Sequence, residues 1–291
     1  MPVRFGEFRS LSSPETMVHL LQMLLTCITF SLVARDGPGN PYYTFAMFSW
    51  CFSFGASALI FLLEFTQLHS LVSFSWKNLP VTVATFSSLM TMASSITYPL
   101  FVVYEAQCEK AWAQIKCHRM LAASAFSCLA SLAYCAEVYM STGRAGEPGR
   151  YMATPPGILK VLQVFSACVI FMALSQLESD KVWVYWYCVG LVCVSLSLSL
   201  GVIITILGEC RGRCPMPFNR LLVGTSAASL LMYLALATLW GLQLRENQSW
   251  ECTSLKDVCQ SELVSAIMIF LNLIWYTADF VFSIKLMRPW S

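Results

Sequence analysis

Tyr134-Cys135-Ala136-Glu137 recurs later in the chain as Tyr276-Thr277-Ala278-Asp279, and each copy lies near the end of a long apolar run. The copies start 142 positions apart in a chain of 291 residues, so each closes one half of the sequence. Each also places one carboxylate inside a stretch that otherwise has the composition of a membrane span. A repeat of this length predicts two copies of one structural unit.

The composition indicates an integral membrane protein. Hydrophobic residues make up 57% of the chain and charged residues 12%, whereas soluble domains carry about 25% charged residues. The net charge of +2 gives no indication of a nucleic-acid partner. The sequence contains no glycine-rich phosphate loop, no Gly-x-Ser-x-Gly nucleophile motif and no histidine-rich metal motif. We therefore expect no enzymatic activity, no cofactor and no metal site.

Eight apolar stretches are long enough to span a membrane, which takes roughly 20 residues. They cover about 17–34, 43–66, 80–104, 119–140, 157–177, 183–207, 219–244 and 263–285. Four precede and four follow a glycine-rich loop at about 141–156, the natural boundary between two halves. The sequence thus predicts an all-α integral membrane protein with eight transmembrane helices. Its predicted parts are a cytoplasmic tail (1–13), a first four-helix domain (14–141), a cytoplasmic linker (142–153) and a second four-helix domain (154–291).

The first and fifth spans align without a gap at an offset of 141, which pairs Gln22 with Gln163. Ser13 and Thr154 each precede a proline, which predicts a hydroxyl N-cap followed by proline at the first helical position. An even number of spans in each half gives both halves the same orientation, so the repeats are parallel and not inverted. If both termini are cytoplasmic, the larger share of the 18 Lys and Arg residues, with Lys160 counted as a flanking charge, lies on the cytoplasmic side. We therefore expect cytoplasmic termini.

Two pairs of cysteines fall in equivalent outer loops under this topology. Cys108 and Cys117 lie between the third and fourth spans, and Cys252 and Cys259 lie between the seventh and eighth. Short spacing in an oxidising compartment predicts two local disulfides, with four unpaired loop thiols as the alternative.

The remaining cysteines belong to two groups. Cys210 and Cys214 follow the sixth span beside basic residues, where either palmitoylation or an ordinary reduced thiol fits the sequence. The other seven lie within spans, where cysteine is most simply a small apolar packing residue.

Glu137 and Asp279 are the strongest candidates for chemistry, because a charge inside a membrane is costly and commonly marks a functional site. Both are near the predicted cytoplasmic ends of their spans, so two hypotheses remain: a structural contact between helices, or an ion or proton site. Tyr134 and Tyr276 lie one turn earlier on roughly the same helix face. Gln22 and Gln163 are expected to form interhelical hydrogen bonds, whereas none of the three histidines has an evident partner.

Several further segments resemble one known family along nearly the whole chain. They are Phe48-Ser-Trp-Cys-Phe52, Ser75-Trp-Lys-Asn-Leu-Pro80, Tyr151-Met-Ala-Thr154, Pro156-Gly-Ile-Leu-Lys-Val-Leu162, Gly208-Glu-Cys210 and the two Tyr-x-Ala-acid motifs. These segments resemble the myeloid-associated differentiation marker family, which carries tandem MARVEL domains. The resemblance implies a membrane protein without catalytic activity, associated with cholesterol-rich membrane domains, vesicle trafficking and membrane apposition, at the plasma membrane or on trafficking vesicles. It supplies no catalytic or ligand-binding residues.

Three functional hypotheses follow. The first is a membrane organiser whose partners are membrane lipids, cholesterol-rich domains among them, and other membrane proteins or further copies of itself. The second is a transporter or channel that uses Glu137 and Asp279, against which the sequence shows neither a broken helix nor a midplane charge. The third is an adaptor whose loop from Gly208 to Arg220 recruits a cytoplasmic protein.

Overall fold

The computed structural model describes residues 14–35, 41–66, 75–103, 115–143, 149–175, 182–208, 217–246 and 256–287. These ranges are helical apart from short turns, and they contain no strand. The helices are α1 (Pro14–Val33), α2 (Pro41–Phe65), α3 (Leu79–Thr97), α4 (Ile115–Thr142), α5 (Pro155–Leu174), α6 (Val182–Leu207), α7 (Phe218–Glu246) and α8 (Lys256–Met287). All eight contain segments long and apolar enough to cross a membrane, which confirms the predicted fold class.

The chain divides into two compact units, Met1–Ala153 and Thr154–Ser291. In the first unit α1 packs on α2, α2 on α3, α3 on α4 and α4 on α1, which closes a four-helix ring. In the second unit α5, α6, α7 and α8 close a ring in the same order. The two units therefore repeat one bundle topology, as the duplicated motif predicts.

The third span departs from a regular α-helix at its end. The chain continues from α3 as a π-helix over Tyr98–Val103. Pro99 has no N–H and cannot donate to the carbonyl of residue 95, which favours a change in the hydrogen-bond pattern at this point. The third span stays continuous through this change, from Leu79 to Val103.

Part of the predicted linker packs into the first unit. Residues Tyr151–Ala153 form a 3₁₀ turn against α3 and α4, with Met152 and Ala153 buried. Asn78 fixes this turn, because its Nδ2 donates to the Gly149 carbonyl at 2.8 Å and its Oδ1 accepts from the Met152 N–H at 3.0 Å. Gly149 has φ +91°, a conformation that glycine adopts without steric cost.

The predicted cap of α5 is only partly correct. Thr154 has the extended backbone of an N-cap residue, with φ −82° and ψ 157°, and Pro155 follows it. The Thr154 hydroxyl makes no capping hydrogen bond. An N-cap side chain bonds the second or third helical N–H, and Pro156 removes the first of these donors. Ser13, the equivalent residue of α1, lies outside the described residues.

Candidate functional site

Glu137 joins α4 to α1 in the first unit. Its Oε2 accepts a 2.7 Å hydrogen bond from Gln22 Nε2, which also donates to the Ala133 carbonyl at 3.2 Å. His19 lies one turn before Gln22, and its Nε2 is 3.6 Å from Glu137 Oε1. All three side chains are buried. The first unit thus surrounds its carboxylate with an amide and an imidazole.

Tyr134 joins α4 to α2 on the same side of the bundle. Its hydroxyl donates to the Ser53 carbonyl at 3.0 Å and lies 2.7 Å from Ser57 Oγ. The ring is fully buried. One turn of α4 therefore binds two other helices, the diagonally opposite α2 through Tyr134 and the adjacent α1 through Glu137.

Asp279 occupies the equivalent place in the second unit, but it has a different partner. Its Oδ2 accepts a 2.6 Å contact from Lys160 Nζ on α5 and a short hydrogen bond from Ser226 Oγ on α7. The Asp279 side chain is 0% exposed and that of Lys160 is 1% exposed. This is a buried ion pair, closed by a hydroxyl from a third helix.

Tyr276 repeats the role of Tyr134 and extends it. Its hydroxyl lies 2.8 Å from Ser199 Oγ on α6, and Ser199 donates to Gln163 Oε1 at 3.2 Å. The Tyr276 ring stacks on Tyr233 at a centroid distance of 5.0 Å. Asn272 Nδ2 donates to the Tyr233 hydroxyl at 2.7 Å. The second unit therefore contains a polar network that involves all four of its helices.

The structure brings the predicted residues together within each unit and adds two that the sequence analysis missed. His19 and Lys160 are related by the same offset of 141 that pairs Gln22 with Gln163. The expectation that no histidine has a partner is wrong, because His19 contacts Glu137. Lys160, counted as a flanking charge, is instead buried against Asp279. The gapless alignment of the first and fifth spans was the signal that could have identified both.

The two pairs have similar combined side-chain length. The longer acid, Glu137, faces the shorter His19, and the shorter acid, Asp279, faces the longer Lys160. Glu137 lies in the last two turns of α4, whereas Asp279 is about 12 Å from the end of α8 at 1.5 Å per residue. His19 and Lys160 each lie five residues after the first residue of their helices, so the two contacts occupy the same place in the repeat.

A cavity of about 170 Å³ opens at the end of the first bundle where α1 begins and α4 ends. Its polar lining comprises His19, Glu64, Trp76, Lys77, Glu137, Ser141 and Arg150. A cavity of this size accommodates several water molecules. Among the described residues, no group of three or more His, Cys, Asp or Glu side chains could hold a metal ion.

The predicted cysteine sites are only partly within the described residues. Cys117 is buried and disulfide-bonded, whereas Cys108, Cys252 and the side chain of Cys259 lie outside the described part, so both pairings stay predictions. Cys210 and Cys214 also lie outside it, and their palmitoylation stays a prediction.

The cysteines within spans do not all pack inside the bundles. All seven are free thiols, as expected, and four of them are exposed on the outer surface of their helices: Cys51, Cys128, Cys135 and Cys193. Of these four, Cys135 still contacts a neighbouring helix, because its Sγ lies 3.2 Å from Ser88 Oγ on α3.

Comparison with known proteins gives consistent matches over the whole chain. The MARVEL family, described as a membrane-associating domain, matches residues 10–140 and 151–282. The chain is 33% identical over 296 residues to the myeloid-associated differentiation marker homolog of Xenopus laevis, covering 97% of this chain and 95% of that relative. It is 35% identical to the myeloid-associated differentiation marker of Mus musculus, covering 97% and 92%. It is 34% identical to marker-like protein 2 of Mus musculus, covering 94% and 92%. No solved structure matches the chain significantly.

Proposed function

The chain belongs to the MARVEL family, with two copies of the domain, and from this premise we propose that it is a non-catalytic organiser of membrane domains. Each bundle is a multi-pass unit whose outer surface favours ordered, cholesterol-rich lipid. The same property serves vesicle trafficking or the apposition of membranes. Both termini face the cytoplasm, and the protein resides at the plasma membrane or on trafficking vesicles.

The proposal rests on one observation: the intramembrane carboxylates are bonded inside the bundles, while apolar side chains cover the outside. Asp279 is fully buried and already paired with Lys160 and Ser226, so it contributes to the cohesion of the helices. Many large apolar side chains point outward, and they occur on helices of both units. Examples are Leu59, Leu132, Ile204, Leu231 and Ile274. Such a surface interacts with lipid acyl chains, and its length and shape bias the protein towards bilayers of matching thickness.

A transporter or channel is the alternative that one observation favours. Glu137 borders the 170 Å³ cavity at the end of its bundle, where a small ion could reach it. Asp279 has no comparable exposure, because an ammonium and a hydroxyl hold the same oxygen. A membrane adaptor is a further alternative, but its loop from Gly208 to Arg220 lies largely outside the described residues.

The first test is the partition of the labelled full-length protein between ordered and disordered phases of cell-derived membrane vesicles. We expect enrichment in the ordered phase, reduced in the Cys210→Ser, Cys214→Ser double variant, because attached acyl chains add apolar surface that favours ordered lipid. A matched Cys51→Ser, Cys193→Ser variant changes two exposed thiols within the spans and should leave the partition unchanged. Exclusion of the unmodified protein from the ordered phase would contradict the organiser proposal.

The second test separates the organiser from the transporter. Reconstituted vesicles are assayed for proton and cation flux with the unmodified protein and with the Glu137→Gln, Asp279→Asn double variant. We expect no flux above that of protein-free vesicles in either sample, and impaired folding or sorting of the variant in cells. A flux that requires these two carboxylates would favour the transporter.

A further inference from the structure

The cavity of the first unit has a basic side held in place by Asn78. Lys77 and Arg150 line this side. A Cβ placed on Gly149 would lie 3.7 Å from Lys77 Cδ and 3.9 Å from its Nζ, so the lysine side chain passes next to the residue preceding Arg150. Asn78 holds that segment through its bonds to Gly149 and Met152. The two cations are therefore brought to the same side of the cavity by the backbone.

The acidic and imidazole groups of the cavity come from α1, α2 and α4. Glu137 and Glu64 line the cavity together with His19. The His19 side chain is 6% exposed and its Nε2 faces Glu137, while its Nδ1 has no hydrogen-bond partner among the described residues. A neutral imidazole that presents Nε2–H to a carboxylate leaves Nδ1 as an acceptor. A buried acceptor at the edge of a cavity favours a ligand that carries an N–H donor.

The charges of the lining balance, which restricts the ligand further. Lys77 and Arg150 contribute two positive charges, and Glu64 and Glu137 contribute two negative charges. A ligand with a net charge would leave one charge uncompensated in a partly desolvated site, which is costly. A zwitterion would not. Arg carries five N–H donors and Lys three, so a bound phosphate can share these cations with the contacts that they already make.

In the second unit, the residues equivalent to His19 and Glu137 form a direct contact that is buried from solvent. There Lys160 replaces His19 and reaches the carboxylate directly at 2.6 Å, and Asp279 is fully buried. In the first unit the corresponding separation is 3.6 Å and both partners line the cavity. The same two positions of the repeat thus form a closed contact in one unit and the edge of an accessible site in the other.

We propose that the cavity of the first unit binds a phosphate ester that carries a primary ammonium group, supplied by the headgroup of an ethanolamine phospholipid. The phosphate lies against Lys77 and Arg150. The ammonium lies against Glu64, Glu137 and the Nδ1 of His19. The site lies where the first span begins and the fourth span ends, and the end of a membrane-spanning helix lies close to the lipid headgroups. The proposed lipid site requires that the chain spans a membrane, but it does not require that the protein organises ordered lipid. The site proposal and the organiser proposal can therefore fail independently.

The test is native mass spectrometry of the purified full-length protein in detergent micelles. Ethanolamine, choline and glycerol phospholipids with identical acyl chains are titrated separately. We expect the ethanolamine lipid to be retained about tenfold more strongly than the other two, because it alone supplies both a phosphate and N–H donors without a net charge. Equal retention of the three lipids would overturn the proposal.

Matched variants test the two sides of the site. Lys77→Gln changes an exposed side chain and should lower ethanolamine-lipid retention about tenfold by removing a charge-assisted hydrogen bond. His19→Phe should abolish the preference for ethanolamine over choline. Arg35→Gln removes a charge from an exposed residue just beyond the other end of α1 and should bind like the unmodified protein. Unchanged retention in the Lys77 variant, or an equal loss in the Arg35 variant, would overturn the proposal.

A competition experiment distinguishes the lipid from a soluble phosphate ester. Excess glycerophosphoethanolamine should displace the ethanolamine lipid, since both present the same headgroup. Failure to displace it would mean that the acyl chains are recognised, and binding of the soluble ester without binding of the lipid would mean that the ligand is not a lipid. Either result would overturn the proposal.

Discussion

At the scale of single residues, the two units use one pair of positions in two ways. In the first unit, Glu137 contacts the His19 imidazole at 3.6 Å and accepts a shorter hydrogen bond, of 2.7 Å, from the Gln22 amide. In the second unit Lys160 and Asp279 form a fully buried ion pair. Removing one member of a buried pair leaves an uncompensated charge, whereas replacing both with apolar groups removes two charges together. The second unit should therefore be far more sensitive to a single substitution.

Lys160→Met should lower the free energy of unfolding by about 3 kcal/mol, because it leaves the Asp279 carboxylate buried beside a single hydroxyl. The double variant Lys160→Met, Asp279→Leu should recover most of that loss. The free energies are measured by denaturation with SDS in mixed micelles, followed by circular dichroism. A double variant that is as unstable as the sum of the two single variants would show that the residues do not act as a pair.

Glu137→Gln provides the comparison in the first unit. It should cost only about 1 kcal/mol, because the replacement amide can still accept the Gln22 hydrogen bond and no full charge is left unpaired. The same SDS denaturation measures it. A loss as large as that of Lys160→Met would mean that Glu137 is held by a strong ionic contact.

At the scale of elements, α4 and α8 are the helices that hold each bundle together. Each carries a tyrosine and an acid one turn apart, and with them it binds the diagonally opposite helix and at least one adjacent helix. The 3₁₀ turn at Tyr151–Ala153 is held differently, by the side chain of Asn78 at the start of α3. That side chain makes no capping bond to its own helix. It instead bonds Gly149 and Met152 in the segment that follows α4.

Asn78→Ala should release this turn, because the Gly149 carbonyl and the buried Met152 N–H both lose their partner. We expect faster amide hydrogen exchange at Met152 and a loss of about 1–3 kcal/mol in stability. Asn219→Ala is the control, since Asn219 is exposed and its contact with the Leu286 carbonyl is long, at 3.4 Å. Equal exchange rates at Met152 in the unmodified protein and the Asn78 variant would show that other contacts hold the turn.

At the scale of the whole molecule, each unit has its own ring of helices, polar network and apolar core. Residues 154–291, expressed alone and purified in detergent, should therefore fold. A cooperative thermal transition that is lost in an Asp279→Leu variant of the fragment would support this. A fragment that aggregates, or that unfolds without a cooperative transition, would show that the second unit depends on the first.

The sequence was sufficient to predict the eight spans, the repeat and the polar residues of α1, α4, α5 and α8. It could do so because apolar length and a duplicated motif are properties of the chain itself. It was not sufficient to identify their partners. In the sequence alone, Lys160 resembles a flanking charge, because its partner Asp279 lies on α8, 119 residues away. Trp50 lies in an apolar run, and nothing in that run indicates that its indole donates to Ser127 Oγ at 2.9 Å. The cavity was not predictable either, because its lining comes from five segments of the first unit.

The different closure of the two units has a consequence for how such a chain can evolve. In the second unit, a change at Lys160 or Asp279 alone passes through an intermediate with an unpaired buried charge, so viable sequences must change both positions nearly together. In the first unit, His19 can be replaced singly while Gln22 still holds Glu137. After duplication, one bundle is thus constrained at these two positions, and the other can acquire new ligand preferences by single mutational steps.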